Sequence, residues 1–344
     1  MSPPSLRFVS ADEQGRPLNL IDPAAELRGQ YGPYIADEGL RNAANTALGL
    51  ELPLLLTGEP GCGKSDFAWV AAHALGLSEP LACYIRSDTR ARDLLYHYDA
   101  LSRFGDAQHG RMEHAHDPRN YIRLRPLGVA LMRESARQVV LIDEIDKAPR
   151  DLPNDLLREL DEGQFEIAEI DAAEYPQDRS DPDHPDLPLR RHMRRPTARK
   201  PLIIITSNAE RQLPEPFLRR CVFYHIPMPD LPRLIAIATQ RFPRQKPDLT
   251  RGLATVFFAL RQHAELSRLT KPPTIAEMLE WMKALTTLLH PEDVRFALSG
   301  FEAALRKGNN SLPVGGLTWS DLPALSCLIK LKEDLAELGG HGAR

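Results

Sequence analysis

Short runs of apolar residues alternate with amphipathic stretches through the first two thirds of the chain. The runs that predict strands lie at 52–57, 81–86, 139–143 and 202–207, and the strand-like stretch VFYHI follows them. The stretches that predict helices lie near 37–49, 64–75, 126–136 and 151–161. Strands that are apolar on both faces are typical of parallel sheets with helices on either side. The pattern therefore predicts an α/β domain built on a parallel central sheet.

After Pro229 the pattern changes to apolar residues at helical spacing, with no convincing strand. The helices predicted there occupy 230–242, 250–266, 274–289, 291–306 and 318–338. We therefore predict an N-terminal arm at 1–20, an α/β domain at 21–228 and a helical domain at 229–344. Two polar segments, near 96–124 and 163–201, interrupt the α/β pattern and are predicted to be insertions.

The bulk composition narrows the classes of function. The chain has 344 residues, which favours two domains over one. A formal net charge of −4 gives no overall attraction to nucleic acid or to an anionic membrane. The four cysteines show no metal-ligand spacing, the first residues do not form a signal sequence, and no apolar run is long enough to span a membrane. We expect a cytoplasmic protein without a membrane span.

The segment GEPGCGKS at 58–65 has the spacing of a phosphate-binding loop. Its glycines let backbone N–H groups turn inward around an anion, and the dipole of the following helix adds positive potential. Lys64 can reach the β and γ phosphates of ATP, and the Ser65 hydroxyl can hold Mg²⁺. The residues predicted to bind ATP here are Gly58, Glu59, Pro60, Gly61, Cys62, Gly63, Lys64, Ser65 and Asp66. The alternative is a plain glycine-rich turn, but a predicted strand before the loop and a helix after it favour phosphate binding.

Two other predicted strands end in polar side chains suited to phosphate chemistry. VVLIDEID at 139–146 supplies Asp143, predicted to join Ser65 around Mg²⁺, and Glu144, predicted to polarise the attacking water. LIIITSN at 202–208 ends with Asn208, which can orient that water. The alternatives are solvated acids at a strand end and, for Asn208, a turn-forming asparagine.

An arginine pair, Arg219 and Arg220, follows in the stretch PFLRRC. An arginine donated to the nucleotide of a neighbouring subunit stabilises transition-state charge and changes the rate by roughly 10³ to 10⁵. Arg220 is the first candidate for this role and Arg219 the second. The alternative for both is ordinary surface charge.

The order of these motifs resembles that of the AAA+ ATPases over roughly residues 20–300. The run YIADEGLRNAANTALGLELPLLLTGEPGCGKS, the phrase LIDEIDKAP and the two insertions are most similar to the MoxR-type branch. The resemblance implies a P-loop NTPase three-layer sandwich followed by an all-α lid domain. It also implies a magnesium-dependent ATP hydrolase that forms a hexameric ring, with ATP bound between subunits.

The same resemblance implies a chaperone-like role, in which ATP hydrolysis remodels or activates a partner, often a von Willebrand factor A domain protein. Tyr34 and Ile35 fall where the family packs the adenine ring. One motif departs from the family, because Pro273 stands near the usual position of a lid arginine that touches the nucleotide. We expect Lys271 or Arg268 to substitute for that arginine.

A basic strip at 190–200, with six Lys or Arg, leaves a second class of function open. Such a strip could grip a nucleic-acid backbone in an AAA+ nucleic-acid motor or nuclease-associated NTPase, whereas pairing with the acid-rich stretch at 151–186 is the favoured interpretation. A third alternative is a nucleotide-gated scaffold with little turnover. The histidines of the first insertion are interpreted as solvated side chains rather than as a metal site, and they are His97, His109, His114 and His116.

Overall fold

The computed structural model describes residues 20–22, 26–30, 32–133, 137–171, 173–175, 179–195, 200–267, 269–307, 312 and 317–338. Arg268 and nearly all of the predicted arm at 1–20 therefore lie outside the described residues. The chain divides into two compact units. The first comprises Met1–Gly58 and Lys64–Ile226, and the second comprises Glu59–Gly63 and Pro227–Arg344.

The strands of the first unit are short. They are β1 (Arg28–Gly29), β2 (Gly32–Pro33), β3 (Leu54–Gly58), β4 (Leu81–Tyr84), β5 (Tyr96–Tyr98), β6 (Ile122–Leu124), β7 (Val139–Asp143), β8 (Gln164–Glu166), β9 (Arg179–Ser180), β10 (Pro188–Leu189), β11 (His192–Arg194), β12 (Leu202–Ser207) and β13 (Val222–Ile226). Among the described residues, a five-stranded parallel sheet has the order β13-β3-β12-β7-β4. Because β3, β12 and β7 are neighbours and parallel, their carboxyl ends lie at one edge of the sheet.

The central strands form because they carry apolar side chains on both faces. Every residue of β3 and β12 is buried, and so are the four apolar residues that open β7. Each fully buried leucine, isoleucine or valine contributes roughly 1.5–3 kcal/mol relative to an exposed one. These side chains reach the interior only if helices cover both faces of the sheet. The predicted α/β fold with a parallel central sheet is confirmed.

The helices of the first unit largely occupy the predicted stretches. They are α1 (Glu38–Leu50), α2 (Asp66–Ala74), α3 (Ala91–Leu95), α4 (Ala100–Gln108), α5 (Met112–His116), α6 (Pro126–Met132), α7 (Leu152–Asp155), α8 (Leu157–Glu162) and α9 (Glu215–Leu218). The single helix expected at 151–161 is instead two, α7 and α8. They meet at Leu156, whose N–H is shared between the carbonyls of Leu152 and Asn154 in a tightened turn.

The two predicted insertions pack against each other within the first unit. Strands β5 and β6 pair as an antiparallel ladder that encloses α4 and α5, while β8 pairs with β11 and β9 with β10. The fully buried Asp181 of the second segment accepts a hydrogen bond from Leu124 N of the first at 2.5 Å. Arg179 donates to Asp117 at 2.9 Å, and the Tyr175 hydroxyl donates to His116 O at 2.7 Å. Apolar side chains of both segments also belong to one buried cluster, in which the rings of Tyr96 and Phe165 stack with centroids 6.3 Å apart. Polar and apolar contacts together therefore hold the two segments.

The second unit is helical. Its helices are α10 (Leu231–Arg241), α11 (Pro247–Leu266), α12 (Ile275–Leu288), α13 (Pro291–Lys307) and α14 (Lys332–Leu338). The prediction of a single helix at 318–338 is wrong, because within this range only α14 is α-helical. Pro323 has no N–H to donate and Ala324 has φ 54°, so an α-helix cannot pass through them. Instead, Pro323 O accepts a hydrogen bond from the buried Trp281 Nε1 at 2.8 Å.

None of the helices in the described part of the chain is both long enough and apolar enough to cross a membrane.

Candidate functional site

The loop after β3 has the backbone conformation that the glycine spacing predicts. Gly61 and Gly63 have φ of +75° and +91°, which side-chain-bearing residues rarely adopt. Lys64 is buried, and its ammonium donates to Gly58 O at 2.9 Å, so it joins the two ends of the loop. Helix α2 begins immediately afterwards at Asp66. A lysine and a helix N-terminus thus stand together where an anion can be bound.

Ser65 and Asp143 are brought together at the carboxyl edge of the sheet. The Ser65 hydroxyl donates to Asp143 Oδ1 at 2.6 Å. The hydroxyl of Thr206, in the neighbouring strand β12, donates to the same oxygen at 2.7 Å and accepts from Glu144 N at 2.9 Å. Hydroxyl and carboxylate oxygens are the ligands that Mg²⁺ prefers, so Ser65 and Asp143 fit the predicted magnesium site.

Glu144 is held in a defined position beside Asp143. Its backbone lies in the left-handed region with φ 59°, which is uncommon for a residue other than glycine. The Asn208 side chain donates to Glu144 Oε1 at 3.2 Å, and the Lys147 ammonium pairs with Oε2. The hydrogen bond to Glu144 also raises the pKa of Lys147 above its ordinary value. The structure therefore brings the predicted base and the predicted asparagine into direct contact.

Asp146 fixes the segment that carries Asn208. This carboxylate is buried, and its Oδ2 accepts from Asn208 N at 3.1 Å and from Glu210 N at 2.9 Å. Because the bonds connect the segment after β7 to the segment after β12, they set the position of the asparagine relative to Glu144. Orientation of the attacking water by Asn208 stays a prediction.

The middle of the loop, Glu59–Gly63, contacts helices of the second unit, to which it belongs. The Arg261 guanidinium of α11 pairs with the Glu59 carboxylate, and also donates to Glu265 at 2.8 Å and to Pro273 O at 2.7 Å. Lys271, the predicted lid cation, donates its backbone N–H to Asp334 at 3.0 Å, and its half-exposed ammonium lies 3.9 Å from Glu277. Contact of Lys271 with the nucleotide stays a prediction.

Residues 53–221 match the family model for the AAA domain of the dynein-related subfamily. This part of the chain is similar to an AAA domain. The match covers just under half of the 344 residues and contains the phosphate loop, the Asp143–Glu144 pair and Asn208. It agrees with the parallel five-stranded sheet, so the fold is that of a P-loop NTPase and the domain is nucleotide-binding. No protein of the curated set matches the chain significantly.

The predicted adenine-side residues lie in the first unit, ahead of the matched AAA region. The rings of Tyr34 and Phe67 have centroids 6.0 Å apart. The Asp66 carboxylate accepts from Gln30 N at 2.6 Å, so it anchors the strand pair β1 and β2 to helix α2. Ile35 is partly buried in the segment between β2 and α1. Binding of adenine by Tyr34 and Ile35 stays a prediction.

The two arginines near the end of the matched AAA region are exposed and separately paired. Arg219 pairs with Glu215 one helical turn earlier, and its side chain is 75% exposed. Arg220 lies 2.7 Å from Asp161, and its side chain is 47% exposed. Exposed ion pairs of this kind are worth about 0–1 kcal/mol, so either arginine can exchange its partner at little cost.

The basic strip is partly paired with acids of the same unit. Arg191 lies 2.7 Å from Glu166 and donates to Ile170 O at 3.2 Å. Residues 196–199 lie outside the described part. The ion pair favours the acid-pairing interpretation of the strip over nucleic-acid binding.

Three residues of the site were not identified from the sequence, and neither was the partner of the loop residue Glu59. The three residues are Thr206, Asp146 and Lys147, and the partner of Glu59 is Arg261. A polar residue within the otherwise apolar run LIIIT was a usable signal for Thr206, because a hydroxyl inside a buried strand needs a partner. Arg261 had no such signal, since its partner Glu59 is about two hundred positions away.

Proposed function

We propose that the protein is a MoxR-like AAA+ ATPase, which couples Mg-ATP hydrolysis to chaperone-like remodelling or activation of a partner protein. The single observation that carries the proposal is the convergence of Ser65, Asp143, Glu144 and Asn208 at one sheet edge, next to the lysine of the phosphate loop. A scaffold that only binds nucleotide has no need for a carboxylate positioned by an asparagine.

The chemistry follows from what each side chain can do. Lys64 and the loop N–H groups bind the phosphates and offset their negative charge. Ser65 and Asp143 would hold Mg²⁺, which neutralises charge on the phosphate oxygens when it is bound. Thr206 keeps the Asp143 carboxylate turned towards Ser65. Binding and orientation are therefore built into the strand ends.

Glu144 is the general base of the proposed reaction. Its carboxylate accepts a proton from the attacking water while Asn208 holds one of its oxygens. Lys147 engages the other oxygen, so this ion pair has to loosen before that oxygen can accept a proton. Because both side chains of the pair are more than a third exposed, the loosening requires about 1 kcal/mol or less.

The active assembly is proposed to be a hexameric ring, in which Arg220, or Arg219 as the second candidate, reaches the nucleotide of the neighbouring subunit. Support comes from their exposure and weak pairing. Arg220→Ala subunits alone are expected to be inactive, and so are Lys64→Ala subunits. Mixing the two should restore partial ATPase activity, since some interfaces then combine an intact loop with an intact arginine. Full activity of Arg220→Ala alone in intact oligomers contradicts the assignment.

A trapped complex tests whether the partner is a protein. Glu144→Gln should bind ATP without hydrolysing it and retain the partner, proposed to be a von Willebrand factor A domain protein, whereas Lys64→Ala should retain nothing in an ATP-dependent manner. The candidate is expressed together with each variant, and co-purification is measured with and without ATP. Stimulation of ATP hydrolysis by DNA but not by the candidate protein would instead support the nucleic-acid motor.

A further inference from the structure

The middle of the phosphate loop is attached to the helices of the second unit by three kinds of contact. Glu59 pairs with Arg261, whose side chain is only 7% exposed. A Cβ added to Gly61 would lie 2.5 Å from the Cβ of Ala276, so the backbone approaches α12 as closely as glycine permits. Cys62 packs against the apolar core of the same unit. Neighbouring loop residues are therefore held through charge, close backbone approach and apolar packing.

Arg261 is the centre of this attachment. It donates to Glu59, Glu265 and Pro273 O, so one guanidinium joins the loop, its own helix and the segment that precedes α12. A guanidinium offers several donors in a rigid plane, which allows it to hold three acceptors at once. A lysine at this position retains the charge but not the fork-shaped geometry.

The negative charge of Glu59 lies in the loop that binds phosphates, so a cation that neutralises this charge should favour nucleotide binding. This carboxylate directly follows Gly58 in a loop that binds phosphates, and an unpaired negative charge there opposes a polyanionic ligand. Arg261 offsets the charge and at the same time restrains the loop backbone. Both effects favour the conformation with N–H groups available to phosphate.

We propose that Arg261 is a positioning residue of the nucleotide site, which holds the phosphate loop in its binding conformation through Glu59. It acts without being part of the Ser65–Asp143–Glu144 chemistry. The proposal rests on the proposed nucleotide-binding function, and it assigns to helix α11 a control over nucleotide affinity.

The test combines nucleotide affinity with a measurement made on the loop itself. Arg261→Gln is expected to weaken binding of a fluorescent ATP analogue about fivefold, and to leave the turnover number at saturating ATP within about twofold of wild type. Labelling of Cys62 by iodoacetamide without nucleotide, followed by peptide mass spectrometry, should accelerate about fivefold as the loop opens more often. Arg261→Lys should bind the analogue more tightly than Arg261→Gln and should be labelled more slowly at Cys62. Arg251→Gln, on an exposed position of the same helix, should change neither.

A double-mutant cycle separates action through Glu59 from any other route. Because the two residues act together, Glu59→Gln/Arg261→Gln should bind the analogue no more weakly than Arg261→Gln alone. The proposal is overturned if Arg261→Gln binds and labels like wild type, or if its effect is equally large in the Glu59→Gln background. Since the labelling needs no nucleotide, it still tests the restraint of the loop if wild type fails to hydrolyse ATP.

Discussion

Replacing Thr206 by valine tests whether the metal-binding and base residues are held by one buried hydroxyl. The Thr206 hydroxyl is fully buried, donates to Asp143 at 2.7 Å and accepts from Glu144 N at 2.9 Å. Valine has almost the same shape, so Thr206→Val removes both hydrogen bonds without opening a cavity. It leaves the Glu144 N–H without its acceptor and Asp143 with one donor fewer.

The expected loss of stability follows from these two bonds. A buried polar group left without a partner costs about 1–3 kcal/mol, and a hydrogen bond to a charged group contributes about 1.5–3 kcal/mol. Asp143 is only partly buried and keeps Ser65, so its share lies at the low end of that range. We expect Thr206→Val to lower the free energy of unfolding by about 2–4 kcal/mol. We also expect ATP turnover to fall at least about tenfold, because Glu144 loses its backbone anchor.

Urea unfolding followed by circular dichroism gives the free energy, and phosphate release gives the turnover. Thr206→Ser keeps the hydroxyl and should retain most of the activity. Thr46→Val is the matched control, because its hydroxyl donates only to Asn42 O of the same helix at 2.8 Å, and it should lose less than about 1 kcal/mol. If Thr206→Val unfolds within about 0.5 kcal/mol of wild type and hydrolyses ATP at the wild-type rate, the coupling of Asp143 and Glu144 through this residue is refuted.

Two further predictions concern charged pairs. Burial opposes ionisation of Asp117, but hydrogen bonds from Arg119 and Arg179 outweigh it and lower the pKa from 3.8 to about 2. The contribution of Asp117 to the free energy of unfolding is therefore present above pH 4 and is lost as the pH falls through 2. Asp117→Asn should remove about 2 kcal/mol of this acid-sensitive stability. If the free energy of unfolding of Asp117→Asn depends on pH as that of wild type does, this prediction is contradicted. Lys147→Ala should raise basal ATP turnover about two- to fivefold by freeing Glu144, and a lower turnover would show that the lysine assists instead.

The sequence was most informative where side chains have a single suitable environment. The apolar runs had to be buried strands, and their polar ends had to meet at one edge of a parallel sheet. The strand pattern and the spacing of the phosphate loop together therefore predicted that Ser65, Asp143, Glu144 and Asn208 share one site, and these side chains do lie together. Periodicity was misleading at 318–338, since apolar spacing continues through Pro323 although the backbone cannot remain helical there.

Contacts between distant segments were beyond sequence reasoning. Whether Arg261 reaches Glu59 depends on how α11 packs, and no local pattern records that. The polar insertion at 96–124 likewise gave no strong helical signal, yet its α4 and α5 form next to a short strand pair. The folding of this segment depends on contacts with distant residues, such as the hydrogen bond from Arg179 to Asp117. The spacing of apolar residues along the chain does not predict such contacts.

The most direct measurement of the central claim compares ATP binding and phosphate release for wild type and Glu144→Gln with Mg²⁺. The substitution removes the proposed base and leaves Lys64, Ser65 and Asp143 in place. The account predicts that the variant binds ATP within a few-fold of wild type and releases phosphate at least about 10² times more slowly. Equal rates of phosphate release in the two proteins would contradict the assignment of Glu144 and the proposed ATPase mechanism with it.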